Sequence, residues 1–92
     1  MSNTNINELL PTAPEGHFWR IFTREDDNYL MLQLRKGTEA KSEDIYTTTI
    51  ANSVTDLNII DSLIADTGRF VLKYAFPEKR DWTSYEGTYG LA

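Results

Sequence analysis

The sequence predicts an α+β fold: an antiparallel β-meander of three or four strands with one helix packed on one face. Three observations carry this. The run from His17 to Gly37, HFWRIFTREDDNYLMLQLRKG, sets two segments of aromatic and branched residues around an acidic turn. A threonine-rich segment, Asp44 to Ala51, has the β-branched density of a further strand. Beyond it, Leu57, Ile60, Leu63 and Ile64 recur at helical spacing.

Residues Met1 to Gly16 read as an extended N-terminal arm, punctuated by Pro11, Pro14 and Gly16. Only Asn7 to Leu10 has the composition for a helical turn. The start, Met1-Ser2-Asn3-Thr4-Asn5, is polar, so no secretory leader is expected.

The hairpin follows. Glu25-Asp26-Asp27-Asn28 suits a tight turn, because Asp and Asn tolerate positive φ and bond their own backbone. A two-residue loop at Asp26-Asp27 or Asp27-Asn28 pairs odd positions of the first strand with even positions of the second. Side chains alternate along a strand, so Trp19, Ile21 and Thr23 then share a face with Leu30, Leu32 and Leu34. Phe18, Arg20, Phe22 and Arg24 share the other with Tyr29, Met31, Gln33 and Arg35. A one-residue slip would set leucines against arginines, so the pattern defines the register. The leucine face is the expected core.

Gly37 to Glu43 is a polar loop. In the next strand Tyr46, Thr48 and Ile50 are expected on one face and Ile45, Thr47 and Thr49 on the other. The helix is expected to start at Ser53 or Thr55 as N-cap, with Asp56 favouring its positive end. Its stop has two readings. Thr67-Gly68 as a C-cap leaves Phe70, Leu72, Tyr74 and Phe76 alternating as a fourth strand, and this is the reading preferred here. Otherwise the helix continues, with Val71, Tyr74 and Ala75 on its apolar stripe and Ile59, Leu72 and Phe76 outside. After Pro77 comes an aromatic and glycine-rich tail. The expected organisation is an arm (1–16), a single domain (17–76) and a C-terminal tail (77–92).

Composition bounds the function. The chain has 92 residues, 40% hydrophobic and 12% aromatic, which is ordinary for one globular domain. It lacks cysteine, so disulfides and thiolate metal sites are excluded. Fourteen acidic and nine basic residues give a net charge of −5, which argues against general affinity for nucleic acid. No run approaches the roughly 18 apolar residues of a membrane span.

Chemical motifs are few. His17, the only histidine, has no nucleophile motif to serve, and its place at a strand entrance reads as surface. Glu25-Asp26-Asp27 lacks the spaced oxygens of a calcium loop and reads as a solvated turn. No phosphate-binding or dinucleotide-binding glycine loop occurs. No metal or cofactor is expected, and no catalytic residue is assigned.

The candidate contact residues lie in two places. Phe18, Arg20, Phe22, Arg24, Tyr29 and Arg35 interleave rings and guanidinium groups on the outer hairpin face, the types that protein interfaces enrich. They also fit single-strand binders that stack bases, arginines lying over exposed rings as cation–π pairs, or a face covered by the chain's own tail. In the tail, Trp82, Tyr85 and Tyr89 either dock on the domain or anchor a partner.

Pro14-Glu15-Gly16-His17-Phe18-Trp19-Arg20, leading into Leu30-Met31-Leu32-Gln33-Leu34-Arg35-Lys36, resembles small proteins of tailed bacteriophages. Those show a Pro-x-Gly-x-Phe-Trp-Arg entry before a strand of Leu-x-Val-Gln-Leu-Arg type. The likeness covers roughly residues 11–37 and neither motif carries chemistry. It implies a phage origin, with a virion or host cytoplasm as the setting. The expected function is a non-catalytic protein-interaction module that oligomerises or docks on larger virion proteins. The alternatives are a small acidic inhibitor of a host enzyme and, third, a single-strand nucleic-acid binder.

Overall fold

Strands β1 (His17–Arg24), β2 (Tyr29–Gly37) and β3 (Ser42–Asn52) form one antiparallel sheet, in that order, in the computed structural model, which describes residues 5–92. A one-turn helix α1 (Ile6–Leu9) precedes them and a long helix α2 (Ile60–Ala75) follows. Residues 1–4 of the predicted arm lie outside the described residues.

The hairpin has the parity the sequence demands. Trp19 pairs with Leu34, Ile21 with Leu32 and Phe22 with Met31, on a register centred at Asp26-Asp27. Glu25, Asp26 and Asp27 all take positive φ (55°, 56° and 68°), and the Asn28 N–H donates to Glu25 O at 3.1 Å. Asp26 and Asp27 are of the type that tolerates that conformation, and the Asp27 carboxylate accepts from the Thr23 hydroxyl at 2.8 Å.

Strand β3 departs from simple alternation. The register with β2 shifts between Leu30 and Met31 and again between Leu34 and Arg35, so Ile50 and Ile45 are the extra residues of two bulges. A bulge sets two residues opposite one. Ile45 therefore packs with the core beside Tyr46, and not on the opposite face, while Ile50 and Ala51 are both buried. Threonines 47 and 49 share a face as expected, and it is the outer one, opposite Gln33 and Met31.

The helix runs straight through Gly68 to Ala75, which removes the preferred fourth strand at 69–76 and leaves three strands. Gly68 is a close-packing position, not a terminator. A Cβ there would lie 2.6 Å from Pro11 Cδ and 3.1 Å from Leu10 Cδ2. Helical periodicity also explains the residues that had alternated. Val71 is fully buried, and Leu72 and Ala75 pack against the core, whereas Phe70, Tyr74 and Phe76 are exposed. Leu72 thus lies inside and Tyr74 outside, the reverse of the expectation for a continued helix.

The helix start differs too. Neither Ser53 nor Thr55 caps it. The Asp56 carboxylate accepts the Asn58 N–H at 2.9 Å and caps a 3-10 turn, Leu57–Ile59, that leads into α2. The tighter turn advances about three residues per revolution, which carries Leu57 out of the stripe. It is 85% exposed.

The core is Leu32, Leu34, Ile50, Ala51, Ile64 and Val71. Helix α2 lies over β3 and β2 and does not reach β1. The arm covers that remaining part: Leu9, Leu10 and Ala13 pack against the core, and the Trp19 indole N–H donates to Pro11 O at 2.8 Å. The second layer therefore has two parts, α2 over two strands and the arm over the third. No helix among the described residues is long and apolar enough to cross a membrane.

Candidate interaction surface

All helical packing is on the leucine face, so the outer face of the sheet is left open. Phe18, Arg20, Phe22 and Arg24 of β1 stand opposite Arg35, Gln33, Met31 and Tyr29 of β2, with Asp44, Thr47 and Thr49 of β3 beyond. The flanking side chains lean over the central strand. That burial leaves Met31 only 2% and Gln33 only 7% exposed without any covering element.

Polar groups at the β2–β3 side are mutually satisfied. Arg35 donates from Nη1 to Gln33 Oε1 at 3.0 Å, from Nε to Ser42 Oγ at 2.7 Å and from Nη2 to Ser42 O at 3.0 Å. Gln33 Nε2 donates to Thr47 Oγ1 at 3.0 Å, and that hydroxyl donates to Asp44 Oδ2 at 2.8 Å. The Thr49 hydroxyl donates to Met31 Sδ at 3.4 Å. Buried polar groups with full complements rigidify a surface. The sequence put Gln33 and Arg35 on one face, but the chain that links them to Ser42, Asp44 and Thr47 depends on side-chain reach across two strands.

The β1 side is different. Arg20 lies over the Phe22 ring, 4.7 Å from its centroid, and is exposed. Arg24 is 3.9 Å from Glu25 at the surface, a pair worth little. Phe18 and Phe22 are half-buried, as is Tyr29. An open groove of about 540 Å³ runs past Phe18, Arg20, Arg35, Glu39 and Ser42. Six of the nine predicted contact residues are therefore gathered on one face.

The other three are not. Trp82, Tyr85 and Tyr89 lie in the tail, exposed, and the 3-10 turn Thr83–Tyr85 touches no other element. They organise one another instead. Trp82 and Tyr85 rings are 5.8 Å apart, and the Tyr89 hydroxyl donates to Tyr85 O at 2.6 Å. Asp81 holds the turn by accepting from the Thr83 N–H at 3.0 Å and the Thr83 hydroxyl at 2.7 Å. These bonds hold its carboxyl below the usual aspartate pKa.

His17, expected at the surface, is half-buried. Its Nδ1 is 2.9 Å from Glu15 O, and its ring meets Phe76 edge-on at 5.5 Å. One feature escaped the sequence reading: Tyr46, Phe70 and Tyr74 form an aromatic row, with centroid distances of 6.5 and 4.3 Å. Assigning Phe70 and Tyr74 to a strand hid it, since they meet only at helical spacing (i, i+4). Comparison of the chain with protein-family models, curated proteins and solved structures finds no match.

Proposed function

We propose that this chain is a non-catalytic protein-interaction module that docks a protein partner on the outer face of its sheet. The observation that carries the reading is the open face itself: half-buried Phe18, Phe22 and Tyr29 beside an exposed Arg20, on the face opposite the one that α2 packs. Rings and arginine in that mixture are the groups from which interface hot spots are drawn. The satisfied Arg35 network beneath supplies a rigid floor. The solvent-exposed rings of Trp82, Tyr85 and Tyr89 offer a second contact. The resemblance to small phage proteins makes a virion, or its assembly, the proposed setting.

The charge arrangement favours a protein over a nucleic acid. Arg35 is engaged with Gln33 and Ser42, so Arg20 and Arg24 are the two outer-face guanidinium groups left for a phosphate. Affinity for a strand rests on several such contacts.

The test is retention of partner proteins from phage-infected host cells by immobilised chain, compared with the Phe18→Ser/Arg20→Glu double variant. Both forms must first give the same circular dichroism spectrum. Proteins held by the parent and lost by the variant are the expected result. Equal recovery by both would refute the outer face as the docking surface.

A further inference from the structure

β1 is an end strand: it pairs with β2 alone, and the arm meets it on the core face, where the Trp19 indole N–H donates to Pro11 O. Unlike β3 it carries no bulge, and it contains no proline. Such an edge is a template for another strand. Its free backbone groups can be identified. The His17 N–H turns away from β2 to donate to Pro14 O at 2.9 Å, while Gly16 O accepts the Gly37 N–H at 2.9 Å. Backbone groups of successive residues point to opposite sides of a strand. Parity therefore directs the N–H and C=O of Trp19, Ile21 and Thr23 to the open edge.

We infer that β1 pairs antiparallel with β1 of a second copy, about a twofold axis at Ile21, to make a continuous six-stranded sheet. The occupant follows from the side chains. A twofold axis perpendicular to the sheet keeps the core faces together, so paired positions must have the same parity. With Ile21 on the axis, Arg20 stands opposite Phe22 of the second copy and Arg24 opposite Phe18. Each guanidinium then meets a ring, a cation–π arrangement already made within one chain by Arg20 and Phe22. His17 comes beside the acidic turn that begins at Glu25. Moving the axis to Arg20 would oppose Arg20 to itself, and moving it to Phe22 would oppose Arg20 to Arg24. Both cost like-charge contacts. The Ile21 register is also the one that lets Trp19, Ile21 and Thr23 exchange their free N–H and C=O groups with Thr23, Ile21 and Trp19.

This inference concerns the edge and stands independently of the docking reading for the face. The experiment combines light scattering with amide hydrogen exchange on the full chain. The expected result is a mass twice 10.6 kDa, with protection of the Trp19, Ile21 and Thr23 amides rising with protein concentration. The chain has no cysteine, so single substitutions report the register. Ile21→Cys should cross-link under oxidation, because facing residues lie within disulfide reach. Arg24→Cys should not. A monomer at millimolar concentration with those three amides exchanging freely would overturn the inference, and so would a dimer in which they stay unprotected. A monomer that still retains its partner through Phe18 and Arg20 would sink the edge and spare the face.

Discussion

Gly68→Ala should destabilise the protein, although alanine is the better helix former, and the arm is the reason. Replacing glycine inside an exposed helix gains about 1 kcal/mol. Here Gly68 is buried under the arm, and a methyl group would come 2.6 Å from Pro11 Cδ and 3.3 Å from Pro11 Cγ. Those are atoms of a rigid ring, so the ring must move or the helix must. Overpacking of this kind costs about 1–3 kcal/mol. The net expectation is a loss of roughly 0–2 kcal/mol, a fall in Tm of at most about 8–16 °C for a domain of this size. The decisive measurement is a double-mutant cycle in urea, followed by circular dichroism. Pro11→Ala removes Cγ and Cδ while keeping the Pro11 carbonyl that accepts from Trp19. In that background Gly68→Ala should lose most of its penalty, with a coupling of about 1–3 kcal/mol. If Gly68→Ala stabilises the parent by about 1 kcal/mol, and by the same amount with Pro11→Ala, the arm does not pack on α2 and the reasoning fails.

Three further outcomes are expected. Leu32→Ala, at a site with 0% exposure, should cost about 2–5 kcal/mol in the same urea assay. Arg35→Ala should cost about 1–3 kcal/mol, because Gln33, only 7% exposed, loses the donor to its Oε1; Thr88→Ala, in the exposed tail, is the neutral control. Acid should loosen the tail turn. The Asp81 pKa is depressed by its Thr83 bonds, so their contribution is present above the ordinary aspartate value and is lost as pH falls through the lower folded value. The Thr83 amide resonance should therefore titrate with a midpoint below that of a free aspartate, and Asp81→Asn should abolish the titration.

Much of the hairpin was legible before any coordinates. Strict alternation left one register that kept leucines from facing arginines, and the acidic turn had the residues positive φ requires. The six outer-face candidates followed from the same parity. The second half of the chain was misread for a physical reason as well. From Gly68 onward the sequence satisfies two periods at once. Phe70, Leu72, Tyr74 and Phe76 alternate as a strand would, while Ile64, Val71, Leu72 and Ala75 fit a helix. A glycine at the junction ends a helix in one context and admits a close neighbour in the other. Nothing local distinguishes the two, because the neighbour is Pro11, more than fifty positions away in the chain.

By itself, then, the sequence determined the pairing of β1 with β2, the face that becomes core and the face that carries rings and guanidinium groups. Period-two patterning needs only adjacent strands to be read. The tertiary structure alone decided that the helix passes through Gly68, that the bulges bring Ile45 and Ala51 to the core beside Tyr46 and Ile50, and that the arm covers β1 where α2 does not reach. Each of those depends on which distant surface arrives to exclude water from an apolar group.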